Sequence, residues 1–216
     1  MNINKKDLIS IIQNTQAFSD PQIELEQYCI DAISAVDIIY FAGFEFDDIT
    51  NQVIIDLGAG TGRLSIASAF LKAKYILSVD IDCKALKILK KNVDNLELNN
   101  IIFPICAEIG HFELNQSFLN RVQKITTIMN PPFGVKKKKA DRIFLEKAFS
   151  FSSVIYSIHL ANEEVSKFIR RYIKKYNWSV NYIFPLKLTL ERSFHFHKKR
   201  VKNIDVNIYR FTKDAV

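Results

Sequence analysis

Asn130-Pro131-Pro132-Phe133-Gly134 follows a short apolar run at 125–129 and gathers two kinds of recognition into five residues. Successive prolines stiffen the backbone and remove two N–H donors, leaving the Asn130 side chain and the Pro131 carbonyl free as acceptors. Both acceptors can hold one planar NH₂ group. Phe133 adds a flat apolar face on which a base drawn from its stack can lie. An amine held this way has its lone pair pulled out of conjugation and aimed at an electrophilic carbon, so positioning replaces base chemistry.

A second constellation lies upstream. Asp56-Leu57-Gly58-Ala59-Gly60-Thr61-Gly62 stands where an apolar strand ends and a helix begins. Gly58, Gly60 and Gly62 let backbone approach a ligand closely, and the helix start offers unpaired N–H groups. The spacing is G-x-G-x-G after an acid, which departs from the dinucleotide pattern G-x-G-x-x-G. Asp80 follows Gly62 by 18 residues, and an acid at the end of the next strand is placed to bind ribose hydroxyls. Asp82 either caps the following helix or faces the same ligand. Glu108, in Cys106-Ala107-Glu108 at the end of the third strand, either accepts an adenine amino group or stands in solvent.

Charge points to a polyanion. Residues 1–135 hold 11 basic and 16 acidic side chains, whereas 136–216 hold 19 and 7. Lys136, Lys137, Lys138 and Lys139 directly follow the Asn-Pro-Pro-Phe loop and could grip phosphates beside a flipped base. Phe194-His195-Phe196-His197-Lys198-Lys199-Arg200 interleaves aromatics with cations, a composition suited to single-stranded RNA. Its histidines lack the acidic or cysteine companions of a metal site, so no metal is expected. Lys167, Arg170, Arg171, Lys174 and Lys175 read as the solvated face of a helix.

Positioning these groups requires strands alternating with helices. Strands are expected at 53–56, 75–80, 101–106, 125–129 and 154–159, with helices at 62–71, 83–95, 113–121, 142–150 and 163–176. That alternation predicts βαβ units and a parallel sheet covered on both faces. Runs at 178–190 and 201–211 predict a closing antiparallel hairpin. Two helices, 4–16 and 29–42, precede the sheet, the second turning Ile30, Ile33, Ala35, Val36, Ile38 and Ile39 inward and ending at Gly43. The expected architecture is therefore α/β, a doubly wound Rossmann-like sheet, with a helical extension at 1–50 and a catalytic domain at 51–216. Apolar runs reach only seven residues, and the first residues lack a signal-peptide apolar core, so no membrane role is expected. Cys29, Cys83 and Cys106 have no CxxC spacing, which predicts neither a disulfide framework nor a zinc site and makes a reducing cytoplasm the default.

With the glycine-rich turn, Asp80 and Asn130-Pro131-Pro132-Phe133 together, the chain resembles the class I adenosylmethionine-dependent adenine-N6 methyltransferases. More narrowly, it resembles the methyltransferase-like enzymes of eukaryotes and archaea that methylate one adenosine of small-subunit ribosomal RNA. The resemblance runs from Leu25-Glu26-Gln27-Tyr28 to Ile204-Asp205-Val206. It implies S-adenosyl-L-methionine as cofactor, held with the help of Asp56, and a Leu-Glu-Gln-Tyr segment that closes over it, which gives Gln27 and Tyr28 a binding role. A small zinc-binding activator protein is a further implied partner, with its contact near the apolar segment 66–77. Two departures stand out. Cys29-Ile30-Asp31 replaces the family's Thr-x-Pro, and an ungapped alignment puts Ala107 rather than Glu108 at the third acidic position. A DNA adenine or protein glutamine methyltransferase, a noncatalytic RNA-binding subunit and a nicotinamide-dependent oxidoreductase remain the competing readings.

Overall fold

The strands that carry the glycine-rich turn and the Asn-Pro-Pro-Phe loop lie side by side at the centre of one sheet. The computed structural model describes residues 3–134, 140–191 and 201–214. Seven strands lie among them: β1 (Val53–Leu57), β2 (Tyr75–Asp80), β3 (Ile102–Cys106), β4 (Ile125–Met129), β5 (Val154–Leu160), β6 (Trp178–Glu191) and β7 (Val201–Lys213). Their order is β3-β2-β1-β4-β5-β7-β6. The first five are mutually parallel, and β7 pairs antiparallel with both β5 and β6. This is the expected doubly wound sheet with its C-terminal hairpin. Every residue of β1 and β4 is buried, as central strands covered on two faces require.

The helices α1 (Lys5–Gln13), α2 (Ala32–Tyr40), α3 (Arg63–Phe70) and α4 (Cys83–Asn95) enclose one core, in which Leu8, Ile12, Ile39, Ile54 and Ile66 are buried. On the opposite face, α6 (Ala140–Phe151) and α7 (Glu163–Ile173) cover Leu57, Met129, Ile155 and Trp178, after a short α5 (Gln116–Leu119). No helix among the described residues is long and apolar enough to cross a membrane.

Several local expectations need correction. Ile33 is 58% exposed, because the inward stripe of α2 runs through Ala32, Ala35, Val36 and Ile39 and leaves Ile33 a third of a turn outside it. Gly43 does not end that helix, which continues as a π turn over Phe41–Glu45. A Cβ on Gly43 would lie 2.9 Å from Leu71 Cδ2, so the glycine serves a close approach. The helix expected at 113–121 is a single turn capped by Asn115. Apolar segment 66–77 is mostly core, and Tyr75, 45% exposed, is its outward member.

Cysteine spacing also misleads, since Cys83 and Cys106 form a disulfide with Cα atoms 5.4 Å apart. The pairing follows from topology: α4 starts where β2 ends, and Asp80 at the end of β2 is paired in register with Cys106 of β3. Residues 23 apart in sequence thereby meet within bridging distance.

Candidate active site

Parallel register sets the site. Leu57 of β1 pairs with Met129 of β4, so Gly58 and Asn130 leave adjacent strands at the same level. β1 feeds a chain that turns toward β2, and β4 one that turns toward β5. The crevice at this switch point is where open α/β sheets bind ligands. A cavity opens there, lined by Gly58–Gly62, Asp80, Ile81, Glu108, Asn130 and Pro132, and by Phe18, Gln27 and Tyr28 from the N-terminal segment.

Backbone conformation explains two of the glycines. Gly60 has φ +54° and would place a Cβ 2.9 Å from the Phe18 ring; Gly62 has φ +92° and would place one 2.0 Å from Leu89 Cδ1. Either position therefore excludes a side chain on two counts. Asp80 locks the turn to the end of β2. Its Oδ2 accepts from Gly60 N and its Oδ1 from Asp82 N, each at 2.8 Å. Burial raises its pKa, against those two hydrogen bonds. Asp80 also lines the cavity, and a carboxylate has more acceptor sites than these two bonds use.

Asp82 caps α4, accepting from Lys84 N at 2.9 Å, while its Oδ2 accepts from Gln27 Nε2 at 2.9 Å. Partial burial works against its charge, yet the hydrogen bonds from Gln27 and from backbone amides hold the carboxyl below its usual range. Gln27 Oε1 accepts from Gln22 N at 2.7 Å. The amide of Gln27 is thus engaged at both ends by the protein itself.

Asp56 lies beneath the turn and outside the cavity wall, only 1% exposed. Ser65 Oγ donates to its Oδ2 at 2.6 Å and lies 2.8 Å from Ser78 Oγ, while Asp56 Oδ1 has no partner. Burial pushes this carboxyl up to about 7, against the Ser65 hydrogen bond, and the nearby Asp80 charge adds to the rise.

At the other end of the cavity, Asn130 Oδ1 accepts from the Tyr28 hydroxyl at 2.7 Å. The Tyr28 ring lies 5.8 Å from Phe133 at an interplanar angle of 26°. Pro131 is buried and Phe133 half-buried, packed against the core rather than lining the cavity. Glu108 is in the wall and Ala107 is not, which places the acid beyond the ungapped position. Lys136, Lys137, Lys138, Lys139, His197, Lys198, Lys199 and Arg200 lie outside the described residues.

Sequence reasoning missed Phe18, Asn92 and Phe144. Asn92 ties the N-terminal loop to the glycine-rich turn, donating to Gln16 O at 3.0 Å and Thr61 O at 3.1 Å and accepting from Gln16 N at 2.8 Å. Phe144 of α6 closes the wall beside Gly58. Helical periodicity marks Asn92 only as a polar residue on α4, so no local signal separates it from solvent-facing neighbours. Phe18 was readable as a lone aromatic in a polar loop.

A family model for ribosomal protein L11 methyltransferase (PrmA) matches residues 17–123, the half that carries the glycine-rich turn. Full-length similarity extends further. The chain is 37% identical to the rRNA N(6)-adenosine-methyltransferase METTL5 of Danio rerio, over 96% of this chain and 98% of that protein. It is 36% identical to an uncharacterized protein of Methanocaldococcus jannaschii, over 98% of this chain and 95% of the other. Among solved structures, a Pyrococcus horikoshii protein described as a candidate RNA methyltransferase superposes with a TM-score of 0.87 at 36% identity, covering 100% of both chains.

Proposed function

The chain belongs to the METTL5 family of rRNA N6-adenosine methyltransferases and is an adenosylmethionine-dependent RNA adenine-N6 methyltransferase, and we propose that it methylates one adenosine of small-subunit ribosomal RNA through the Asn130–Phe133 loop. One observation carries the residue assignment: Asn130 sits in the wall of the same cavity as the glycine-rich turn, one strand away.

The residues present fit the cofactor. Asp80 and Glu108 offer carboxylate acceptors to ribose hydroxyls and an adenine amino group. Ile81 and Phe18 offer apolar surface to the ring system. Adenosylmethionine supplies a methyl group on cationic sulfur when bound. Asn130 Oδ1 and the Pro131 carbonyl accept the two N–H bonds of the target amine, and this draws its lone pair out of conjugation with the ring. Phe133 supports the flipped base. The proposed chemistry needs no general base at the amine, because nitrogen attacks before its proton is lost and the charged amine then releases that proton to water.

Asp80→Ala is expected to weaken adenosylmethionine binding by roughly 1.5 to 3 kcal/mol, the worth of a hydrogen bond to an ionised acceptor. Calorimetry checks this, and unchanged affinity removes Asp80 from the site. Replacing Lys136, Lys137, Lys138 and Lys139 by Gln should leave cofactor affinity alone and flatten the salt dependence of RNA binding. Each lost phosphate contact lowers the log–log slope by about 0.7 for a single strand. An identical slope makes the run a solvated surface. His197, Lys198, Lys199 and Arg200 are the second proposed RNA contact, on the same electrostatic ground.

A small zinc-binding activator protein is proposed at the β3 edge of the sheet, beside Tyr75 of the segment 66–77. Edge strand β3 carries Phe103, 40% exposed, with its ring 6.2 Å from that of Tyr75. An exposed apolar strand edge of this kind favours a covering partner. We infer a cytoplasmic location from the proposed ribosomal RNA substrate alone, since the Cys83–Cys106 pair removes the ground that cysteine spacing offered for it. Incubation of purified small ribosomal subunits with the enzyme and methyl-labelled adenosylmethionine tests the reading, since label must appear in nucleosides and not in ribosomal protein.

A further inference from the structure

The Leu25–Tyr28 segment does more than roof the cavity. Its last residue touches the catalytic loop twice: the Tyr28 hydroxyl donates to Asn130 Oδ1 at 2.7 Å, and its ring stacks 5.8 Å from Phe133. An asparagine amide can present either its oxygen or its NH₂ in nearly the same space. Only the oxygen can accept an N–H of the target amine. A neighbouring hydroxyl that keeps its proton and donates it to the oxygen favours the orientation in which that oxygen is held. Tyr28 meets that condition, because burial raises its phenol far above its ordinary value, against the hydrogen bond to Asn130.

The hydroxyl is itself held in place. Gln27 is tied to Asp82 at 2.9 Å, Cys29 Sγ lies 3.3 Å from Thr61 Oγ1, and Arg63 Nη1 donates to Ile30 O at 2.8 Å. Asp31 then caps α2 and accepts from Thr189 N at 2.9 Å. Segment 27–31 is therefore fixed to the N-cap of α4, to the glycine-rich turn and to β6, with Tyr28 the member that reaches the catalytic loop.

We propose that Tyr28 is a positioning residue for methyl transfer, fixing Asn130 with its carbonyl oxygen toward the target amine, rather than a ligand of the cofactor. Asn130 Oδ1 has two lone pairs, one taken by the Tyr28 hydroxyl and the other left for the amine. The hydroxyl stays in place when substrate enters. This rests on the assignment of Asn130 as the holder of that amine.

Tyr28→Phe keeps the ring, its burial and its stacking and removes only the donor. Single-turnover methyl transfer at saturating RNA and cofactor should fall about tenfold, the cost of one lost hydrogen bond with its partner left free to misorient. Adenosylmethionine and RNA affinities should stay within about twofold, a split that a structural role for the ring would not produce. In a double-mutant cycle, Tyr28→Phe should add nothing to Asn130→Ala, because the hydroxyl acts only through that amide. A wild-type rate for Tyr28→Phe, a loss confined to adenosylmethionine affinity, or full additivity with Asn130→Ala overturns the proposal. If Asn130→Ala itself turns over at the wild-type rate, the catalytic-loop assignment falls and the positioning role falls with it. A crippled Asn130→Ala beside an unimpaired Tyr28→Phe defeats the positioning role alone.

Discussion

Asn130→Ala is expected to lower the single-turnover rate of methyl transfer by roughly a hundredfold to a thousandfold, the effect of removing one preorganised polar contact to a transition state. The loss should fall on turnover and spare both binding steps. Asn130 stands at the end of a strand whose residues are all buried, so its backbone is fixed by the sheet and truncation should not move the loop. Its side chain contacts Tyr28 and lines the cavity, and the amide is not part of the core. Phe133→Leu should behave differently, losing about 1 to 3 kcal/mol of base stacking and showing as weaker productive RNA binding. The two variants separate by kinetic phase under saturating and subsaturating RNA. A common phenotype in affinity would remove the proposed division of labour within the loop.

Asp56→Asn is expected to stabilise the cofactor-free protein, and more so as pH rises. Burial lifts the Asp56 carboxyl to about 7 from its ordinary value of 3.8. In the unfolded chain the group ionises near its ordinary value, so between those two pH values the folded state holds a proton that the unfolded state has released. Stability therefore falls as pH rises through this window and levels off above it. At about 1.36 kcal/mol per unit the full loss is about 4 kcal/mol. The variant lacks the titrating group and escapes that loss while its side-chain oxygen can still accept from Ser65. Urea unfolding should show its advantage growing by roughly 2 to 3 kcal/mol between pH 5 and pH 8. An advantage of equal size at both pH values would contradict this account of Asp56.

What the chain discloses before folding depends on how local each cause is. The bounds of β2, β4 and α4 were legible to the residue, because apolar runs bounded by Asp80, Asn130 and the Asp82 cap carry their own limits. The pairing of the glycine-rich turn with the Asn-Pro-Pro-Phe loop was also legible, since parallel βαβ topology brings successive strand ends to one edge. Orientation within the site was not. Asp56 reads as a ligand from its place before the glycines, yet β1 alternates sides, and the side chain meets Ser65 and Ser78 beneath the turn. Gln27 has a cofactor role only through the family resemblance; it lines the cavity, and its amide is held between Gln22 and Asp82, which only the path of the N-terminal segment determines. The disulfide and the anchoring by Asn92 are equally nonlocal. Gly43 shows the converse: a residue type that suggests a helix end instead answers a contact with Leu71 from another helix.

Methylation of the exocyclic amine of an RNA adenine, with Asn130 holding that amine, is open to a direct test. Mass spectrometry of nucleosides from small-subunit ribosomal RNA, after incubation with adenosylmethionine and either wild-type protein or Asn130→Ala, tests it most directly. Labelled N6-methyladenosine at a single site is expected with the wild type, and almost none with the variant over the same interval. Label recovered in ribosomal protein while the RNA nucleosides stay unmodified, or equal N6-methyladenosine from both proteins, would contradict it.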